Sequence, residues 1–241
     1  MERLKRIALY GGTFDPVHVG HTAVAENLLT LFALDELVFV PAYVAPHKRG
    51  RTVTPALHRY AMLALATQHH DCLRVSSAEI DEPQRPYTVD TLSRFKTALG
   101  AMTRLFFVMG ADSWEEITTW REWERVLTMV DHIVVTRPGC ELSTGHVTSD
   151  VRNRIIDVRG AGGGVIERTL DEGTGTKIFL TDIVHIDVSS TSIRRAVSEG
   201  RGGMLAEAVA PSVAGYITKY KFYKEAHERK LFNAGHGDGK H

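Results

Sequence analysis

His18 and His21 stand three residues apart in the run Gly11-Gly12-Thr13-Phe14-Asp15-Pro16-Val17-His18-Val19-Gly20-His21. With that spacing at the start of a helix, both imidazoles face one side. They would lie beside the unpaired N–H groups and positive dipole end of that helix. Such an arrangement is suited to holding phosphate. Gly11 and Gly12 let backbone pass close to a ligand, and Gly20 does the same at the helix entry. The plainer alternatives are two unrelated loop histidines or a metal-binding pair. The pair reading lacks a third ligand nearby. The run is neither Gly-x-Gly-x-x-Gly nor a P-loop with Gly-Lys-Ser/Thr.

A second cluster, Ser189-Ser190-Thr191-Ser192-Ile193-Arg194, lies near the other end of the chain. Small hydroxyl residues cap a helix and expose its first N–H groups. Arg194 adds a planar fork that matches phosphate oxygens. Alone, this would be an ordinary capped surface helix. Paired with the histidine loop, it reads as a second grip on the same anion.

These residues need a scaffold, and the hydrophobic pattern describes one. Ile7–Tyr10, Leu37–Val40, Leu73–Val75, Leu105–Met109, Ile133–Val135 and Ile178–Leu180 are short apolar runs of strand length. Between them lie helical patterns over Thr22–Phe32, from Thr54-Pro55 to Thr67, from Thr88 to about Gly100, and around Glu122–Met129. Two more helices are expected over Ser190–Glu199 and Ser212–Tyr220. This alternation predicts an α/β fold, a doubly wound parallel sheet of Rossmann-like type. Ligands of such sheets sit beyond the carboxyl ends of the strands, where strand order reverses. The loops after Tyr10, Val40, Met109 and Val135 should therefore carry the function. Residues 141–176 are glycine-rich and polar, and suggest an insertion, a β-hairpin or a flap. Residues 1–231 are expected to form one domain, and residues 232–241 a disordered tail.

Composition narrows the function. The chain has 241 residues, with 29 Lys plus Arg against 29 Asp plus Glu. A balanced chain lacks the general basic field of a nonspecific nucleic-acid binder. The small basic run of Lys48, Arg49 and Arg51 reads as a solvated loop. The 2 cysteines, Cys72 and Cys140, fit neither a disulfide framework nor a metal motif. With no signal peptide and no apolar stretch of membrane-span length, the expectation is a cytoplasmic protein without membrane contact.

The two clusters resemble the signatures of the nucleotidyltransferase superfamily, His-x-Gly-His and Ser-Ser-Thr-x-Ile-Arg. Within it the chain is most similar to bacterial nicotinate-nucleotide adenylyltransferases. Pro46-His47-Lys48, Arg59 with Met62, Tyr87-Thr88-x-x-Thr91-Leu92, Gly110-Ala111-Asp112-Ser113, Trp120 and Arg137-Pro138-Gly139 follow in that family's order. The resemblance spans residues 6–222 apart from the inserted segment. Arg121, the inserted segment and Asp187 depart from the pattern.

The resemblance implies a reaction of ATP with nicotinate mononucleotide that gives deamido-NAD and pyrophosphate. It implies that His18 and His21 contact α- and β-phosphate oxygens and that Lys48 adds positive charge. Gly11, Gly12, Thr13 and Phe14 would line the ATP cradle, with Gly110 and Asp112 at the nucleoside and Asp112 on a ribose hydroxyl. Ser190, Thr191 and Arg194 would hold the departing pyrophosphate. Magnesium would ride on the ATP phosphates rather than in a protein metal site. For the acceptor, Thr88 opens a helix whose N–H groups suit a carboxylate. Trp120 could stack on the pyridinium ring or serve as a core aromatic. Arg137 could meet the acceptor phosphate or form a loop ion pair. Trp114 and Trp123 read as packing. The alternatives are a same-fold enzyme using nicotinamide mononucleotide or phosphopantetheine, a noncatalytic nucleotide sensor, and a nucleic-acid binder. Homo-oligomer formation is left open.

Overall fold

The computed structural model describes residues 3–43, 53–82, 86–136, 141–172, 175–183, 186 and 188–224. The six apolar runs become strands β1 (Lys5–Gly12), β2 (Glu36–Pro41), β3 (Leu73–Val75), β4 (Thr103–Gly110), β5 (Asp131–Val135) and β7 (Ile178–Thr181), and an unforeseen seventh, β6 (Ile155–Asp157), lies in the glycine-rich segment. They form one sheet in the order β3-β2-β1-β4-β5-β7-β6, and every pairing is parallel. Parallel neighbours need long crossovers, which helices supply. The helices are α1 (Val19–Leu31), α2 (Ala56–Thr67), α3 (Thr88–Leu99), α4 (Ala111–Glu115), α5 (Trp123–Met129), α6 (Ser149–Arg152), α7 (Gly163–Asp171), α8 (Ser190–Ser198), α9 (Gly202–Ala208) and α10 (Pro211–Lys219). This is the doubly wound α/β architecture that the alternating pattern predicts. Strand order reverses between β1 and β4, so the loops after Gly12 and Gly110 flank the crevice.

The middles of the central strands are uninterrupted apolar stretches because helices cover both faces. Along β1, Ala8 and Tyr10 join one core with Phe39, Phe106, Val108 and Phe179. Ile7 and Leu9 join the opposite core with Val38, Phe107, Val134 and Leu180. Helices α1, α2 and α7 to α10 close the first core, and α3 to α6 close the second.

Residues 141–176 do not fold as a hairpin. Their described part holds α6, the edge strand β6 and α7, and β6 runs parallel to β7. Arg6, at the start of β1, donates to Glu167 Oε1 on α7 at 2.6 Å and to the Phe32 carbonyl at 3.1 Å. Arg104 donates to the Leu170 carbonyl at 2.6 Å. The second half of this segment is therefore fastened at the amino ends of the strands, opposite the crevice. The first half lies against α4, where Trp114 Nε1 donates to the Ser143 carbonyl at 2.8 Å.

Three helix starts differ from the sequence reading by a residue or more. Helix α1 begins at Val19, so His18 is its N-cap and His21 lies in its first turn. Thr54 does not cap α2; its N–H donates to Asp15 Oδ2 at 3.3 Å, and Pro55 is the N-cap. Tyr87, not Thr88, is the N-cap of α3, and Asp90 accepts from the Tyr87 N–H at 3.3 Å. The tail 232–241 lies outside the described residues.

Candidate active site

The loop after β1 delivers the histidines as a stacked pair. Their ring centroids are 3.7 Å apart and the planes are inclined by 26°. The His18 N–H donates to His21 Nδ1 at 3.2 Å. Accepting at Nδ1 leaves the proton of a neutral His21 on Nε2, where it can be offered to a ligand. Phe14 packs edge-on against His21, with ring centroids 5.0 Å apart. Phe14 holds a left-handed φ of 50° and packs on Tyr10 and Phe39. The glycines here make room for the protein's own rings. A Cβ on Gly12 would lie 2.8 Å from Phe14 Cζ, and one on Gly20 would lie 3.0 Å from His18 Nδ1. The glycine of the His-x-Gly-His run therefore has a steric reason, because any Cβ there would press on the His18 ring.

The serine-rich turn is bonded to this loop. Ser189 caps α8, accepting from the Ser192 N–H at 3.1 Å, while Ser192 Oγ accepts from the Ser189 N–H at 3.2 Å. Ser190 Oγ donates to the Pro16 carbonyl at 2.9 Å. Arg194 donates from Nη1 to the Asp15 carbonyl at 2.6 Å and from Nη2 to Thr191 Oγ1 at 3.1 Å. The guanidinium has more N–H groups than these two contacts use. Two clusters at opposite ends of the chain thus meet at Asp15 and Pro16, two residues before His18.

Asp15 also anchors the loop from beneath. Its buried carboxylate accepts from the Tyr223 hydroxyl at 2.7 Å and from the Thr54 N–H at 3.3 Å. Burial, reinforced by the Asp15 charge, pushes the Tyr223 phenol far above its ordinary pKa. It therefore remains a donor. Arg59, fully buried, gathers the neighbouring loops. It donates to the carbonyls of Thr13 at 2.6 Å, Ala42 at 2.6 Å, Tyr43 at 3.1 Å and Thr54 at 2.9 Å. Burial lowers its pKa, and the charge of Asp15 chiefly opposes that shift.

Beside the phosphate-type cradle opens a cavity of about 230 Å³. Gly11, Gly12 and Thr13 form one wall, and Tyr87, Thr88, Trp120 and Arg121 form another. Glu79, Ser113, Phe107 and Met109 also line it, whereas neither histidine does. Trp120 packs edge-on against Phe107 with centroids 6.3 Å apart. Its buried Nε1 has no hydrogen-bond partner among the described residues. Trp120 is both a partner of the core and a wall of the cavity. Glu79 accepts from Thr91 Oγ1 at 2.9 Å. Burial raises its pKa, and the bonds from Thr91 and the Tyr43 backbone oppose that shift.

The expected site residues thus fall into two adjoining groups. His18, His21, Phe14, Ser190, Thr191 and Arg194 surround the loop after β1, and Gly11, Gly12, Thr13, Thr88 and Trp120 border the cavity. Gly110 ends β4 at the crevice, and Asp112 is exposed in α4, outside the cavity wall. Lys48 and Arg137 lie outside the described residues, as do Pro46, His47, Pro138, Gly139, Cys140 and Asp187. Trp114 is fully buried, as packing requires. Sequence reasoning missed the anchoring roles of Asp15, Arg59, Glu79 and Tyr223. Asp15 stood inside the histidine run, and Arg59 on an otherwise apolar helix face. Glu79 and Tyr223 gave no signal.

Comparison with known proteins agrees with this geometry. Residues 9–196 match the cytidylyltransferase-like family. A protein of Thermoanaerobacter sp. (strain X514), named "Probable nicotinate-nucleotide adenylyltransferase", is 38% identical over 228 residues, covering 95% of this chain and 99% of its own. One of the same name from Moorella thermoacetica is 42% identical over 196 residues, covering 81% and 82%. Among solved structures, Plasmodium falciparum nicotinic acid mononucleotide adenylyltransferase complexed with NaAD superposes with a TM-score of 0.65 at 19% identity, covering 91% of this chain and 97% of its own. That likeness carries the fold, and the two bacterial relatives carry the family. The chain belongs to the cytidylyltransferase-like family and, within it, to the nicotinate-nucleotide adenylyltransferases.

Proposed function

We propose that this protein transfers AMP from ATP to nicotinate mononucleotide, releasing pyrophosphate and forming nicotinate adenine dinucleotide for NAD biosynthesis. One observation carries the reading: the Ser190–Arg194 turn is bonded to Asp15 and Pro16, beside the stacked imidazoles and an aromatic-walled cavity. The family's name for its relatives supplies the acceptor. Residues 1–231 serve as one domain in this reading, because both motifs belong to one sheet's crevice.

The acceptor's phosphate oxygen attacks the α-phosphorus of ATP in line. A new P–O bond forms, the bond to the β-phosphate bridge breaks, and pyrophosphate leaves with that electron pair. No protein nucleophile is needed. Two anions must meet, so catalysis is positioning and charge neutralisation. His18 and His21 donate to α- and β-phosphate oxygens. Ser190, Thr191 and Arg194 hold the leaving pyrophosphate, and Lys48 adds charge nearby. Gly11, Gly12, Thr13 and Phe14 line the cradle, with Gly110 and Asp112 at the nucleoside. Thr88 and Trp120 receive the pyridine ring and its carboxylate, and Arg137 the acceptor phosphate.

Among the described residues, no three His, Cys, Asp or Glu side chains gather as a cation site. In this reading magnesium would accompany ATP and supply neutralisation of phosphate charge. No described helix is long and apolar enough to cross a membrane. A cytoplasmic setting fits this reading.

The test is an acceptor panel with ATP and magnesium, read as pyrophosphate release. Nicotinate mononucleotide should be the preferred acceptor. Nucleotide binding with no turnover on any acceptor would leave a sensor instead.

A further inference from the structure

Among the described residues, Arg121 is the one cation in the cavity wall. Its guanidinium carbon sits 4.7 Å from the centroid of the Tyr87 ring. Tyr87 is the N-cap of α3, a twelve-residue helix whose first N–H groups therefore lie beside the same ring. Arg121 also has a loose ion pair with Glu122, 3.7 Å from Nε. A planar guanidinium stacked on a ring is pre-organised, and it keeps its outer N–H groups directed at a ligand. A second observation points the same way. Trp120, the preceding residue, lines the same cavity and sets an aromatic wall beside the guanidinium.

We propose that Arg121 is a specificity-determining residue. Its side chain, held on Tyr87 at the amino end of α3, pairs with the carboxylate of the acceptor's pyridine ring. The inference rests on the proposed function, and it adds what the family resemblance leaves open. Backbone N–H groups can hydrogen-bond an amide oxygen nearly as well as a carboxylate. A guanidinium discriminates more strongly, because a bond between two charged groups exceeds one to a neutral oxygen. Glu79 strengthens the contrast. Among the described residues it is the one carboxylate in the cavity wall, so an acidic ligand entering without a facing cation would meet repulsion from its ionised form.

The experiment compares the wild type, Arg121→Ala and Arg121→Lys with ATP, magnesium and two acceptors. Nicotinate mononucleotide is followed by pyrophosphate release. Nicotinamide mononucleotide is followed as a substrate and as a competitive inhibitor. Arg121→Ala should lower kcat/KM for the acid about tenfold, mainly through KM, the low end for losing a charged hydrogen bond at a partly exposed site. The inhibition constant of the amide and the KM for ATP should stay within about twofold, well below that loss. Arg121→Lys should recover part of the loss, since it keeps the charge without the fork. The acid's KM should rise with salt more steeply in the wild type than in Arg121→Ala. Equal losses for acid and amide, or an unchanged KM for the acid, would overturn the proposal while the proposed function stands. A wild type inactive with nicotinate mononucleotide would overturn both.

Discussion

Arg194 donates to the main-chain carbonyl of Asp15 at 2.6 Å, across 179 positions of sequence. One residue therefore fixes the loop before the imidazoles and still has N–H groups to offer a ligand. Arg194→Ala is expected to lower kcat about 10²–10³-fold, as loss of a preorganised donor does. Arg194→Lys should recover little, because a single ammonium lacks the planar fork. Steady-state turnover measured beside thermal unfolding decides the matter. A variant that loses stability in proportion to activity would assign Arg194 to structure alone.

His18→Ala should reduce kcat by about 10²–10³-fold with the fold retained, judged by circular dichroism. The His18 N–H to His21 Nδ1 bond is a backbone bond and survives the substitution, so His21 keeps its tautomer and the loss reports on the His18 ring alone. Turnover near the wild-type rate would remove the His18 ring from the proposed chemistry.

Trp120→Ala should raise KM for nicotinate mononucleotide more than KM for ATP. The ring lines the cavity and sits apart from the imidazole pair. Parallel increases in both constants would mark a packing defect spreading through Phe107.

Arg59→Leu should destabilise the protein by about 3–5 kcal/mol, the range for removing one partner from a buried charged network. Four carbonyls from two loops lose their donor, and Asp15 loses a nearby cation. Urea unfolding measures the change. A loss below about 1 kcal/mol would show that water replaces the guanidinium easily.

His132 sets an acid limit on stability. It is fully buried on β5, and its Nδ1 lies 3.0 Å from the Val130 carbonyl. Burial lowers its pKa from 6.5 to about 3. The folded state thus excludes a proton that the unfolded chain accepts. Its contribution is complete above pH 6.5 and falls as pH drops toward 3, by about 1.4 kcal/mol per unit at the steepest. His132→Asn keeps a donor for Val130 and removes the titration. Unfolding free energies at pH 7, 6 and 5 should fall less steeply in the variant. Superimposable curves would exclude His132 as the cause.

The sheet was legible because its strands are buried on both faces and appear as uninterrupted apolar runs. The phosphate-type loop was legible for a different reason. Packing of the His18 ring against Gly20 calls for a glycine that the sequence displays directly. Features built from distant partners were hidden. Asp15 and Tyr223 are 208 positions apart, and only folding joins them. Glu79 follows a three-residue strand, too short to mark the residue after it as part of a site. The glycine-rich segment misled because composition suggested a loop. Its own apolar residues, Ile166 and Leu170, are buried in the main core and make it a helix.

The Tyr223–Asp15 bond has a consequence for synthesis. During translation, the amino-terminal loop emerges long before its partners in α8 and at Tyr223. Until those residues leave the ribosome, the Asp15 carboxylate lacks its phenolic donor and the Asp15 carbonyl lacks its guanidinium. All seven strands precede Arg194 and Tyr223 in the chain, so the loop before His18 gains these two fastenings only after every residue of the sheet has been made.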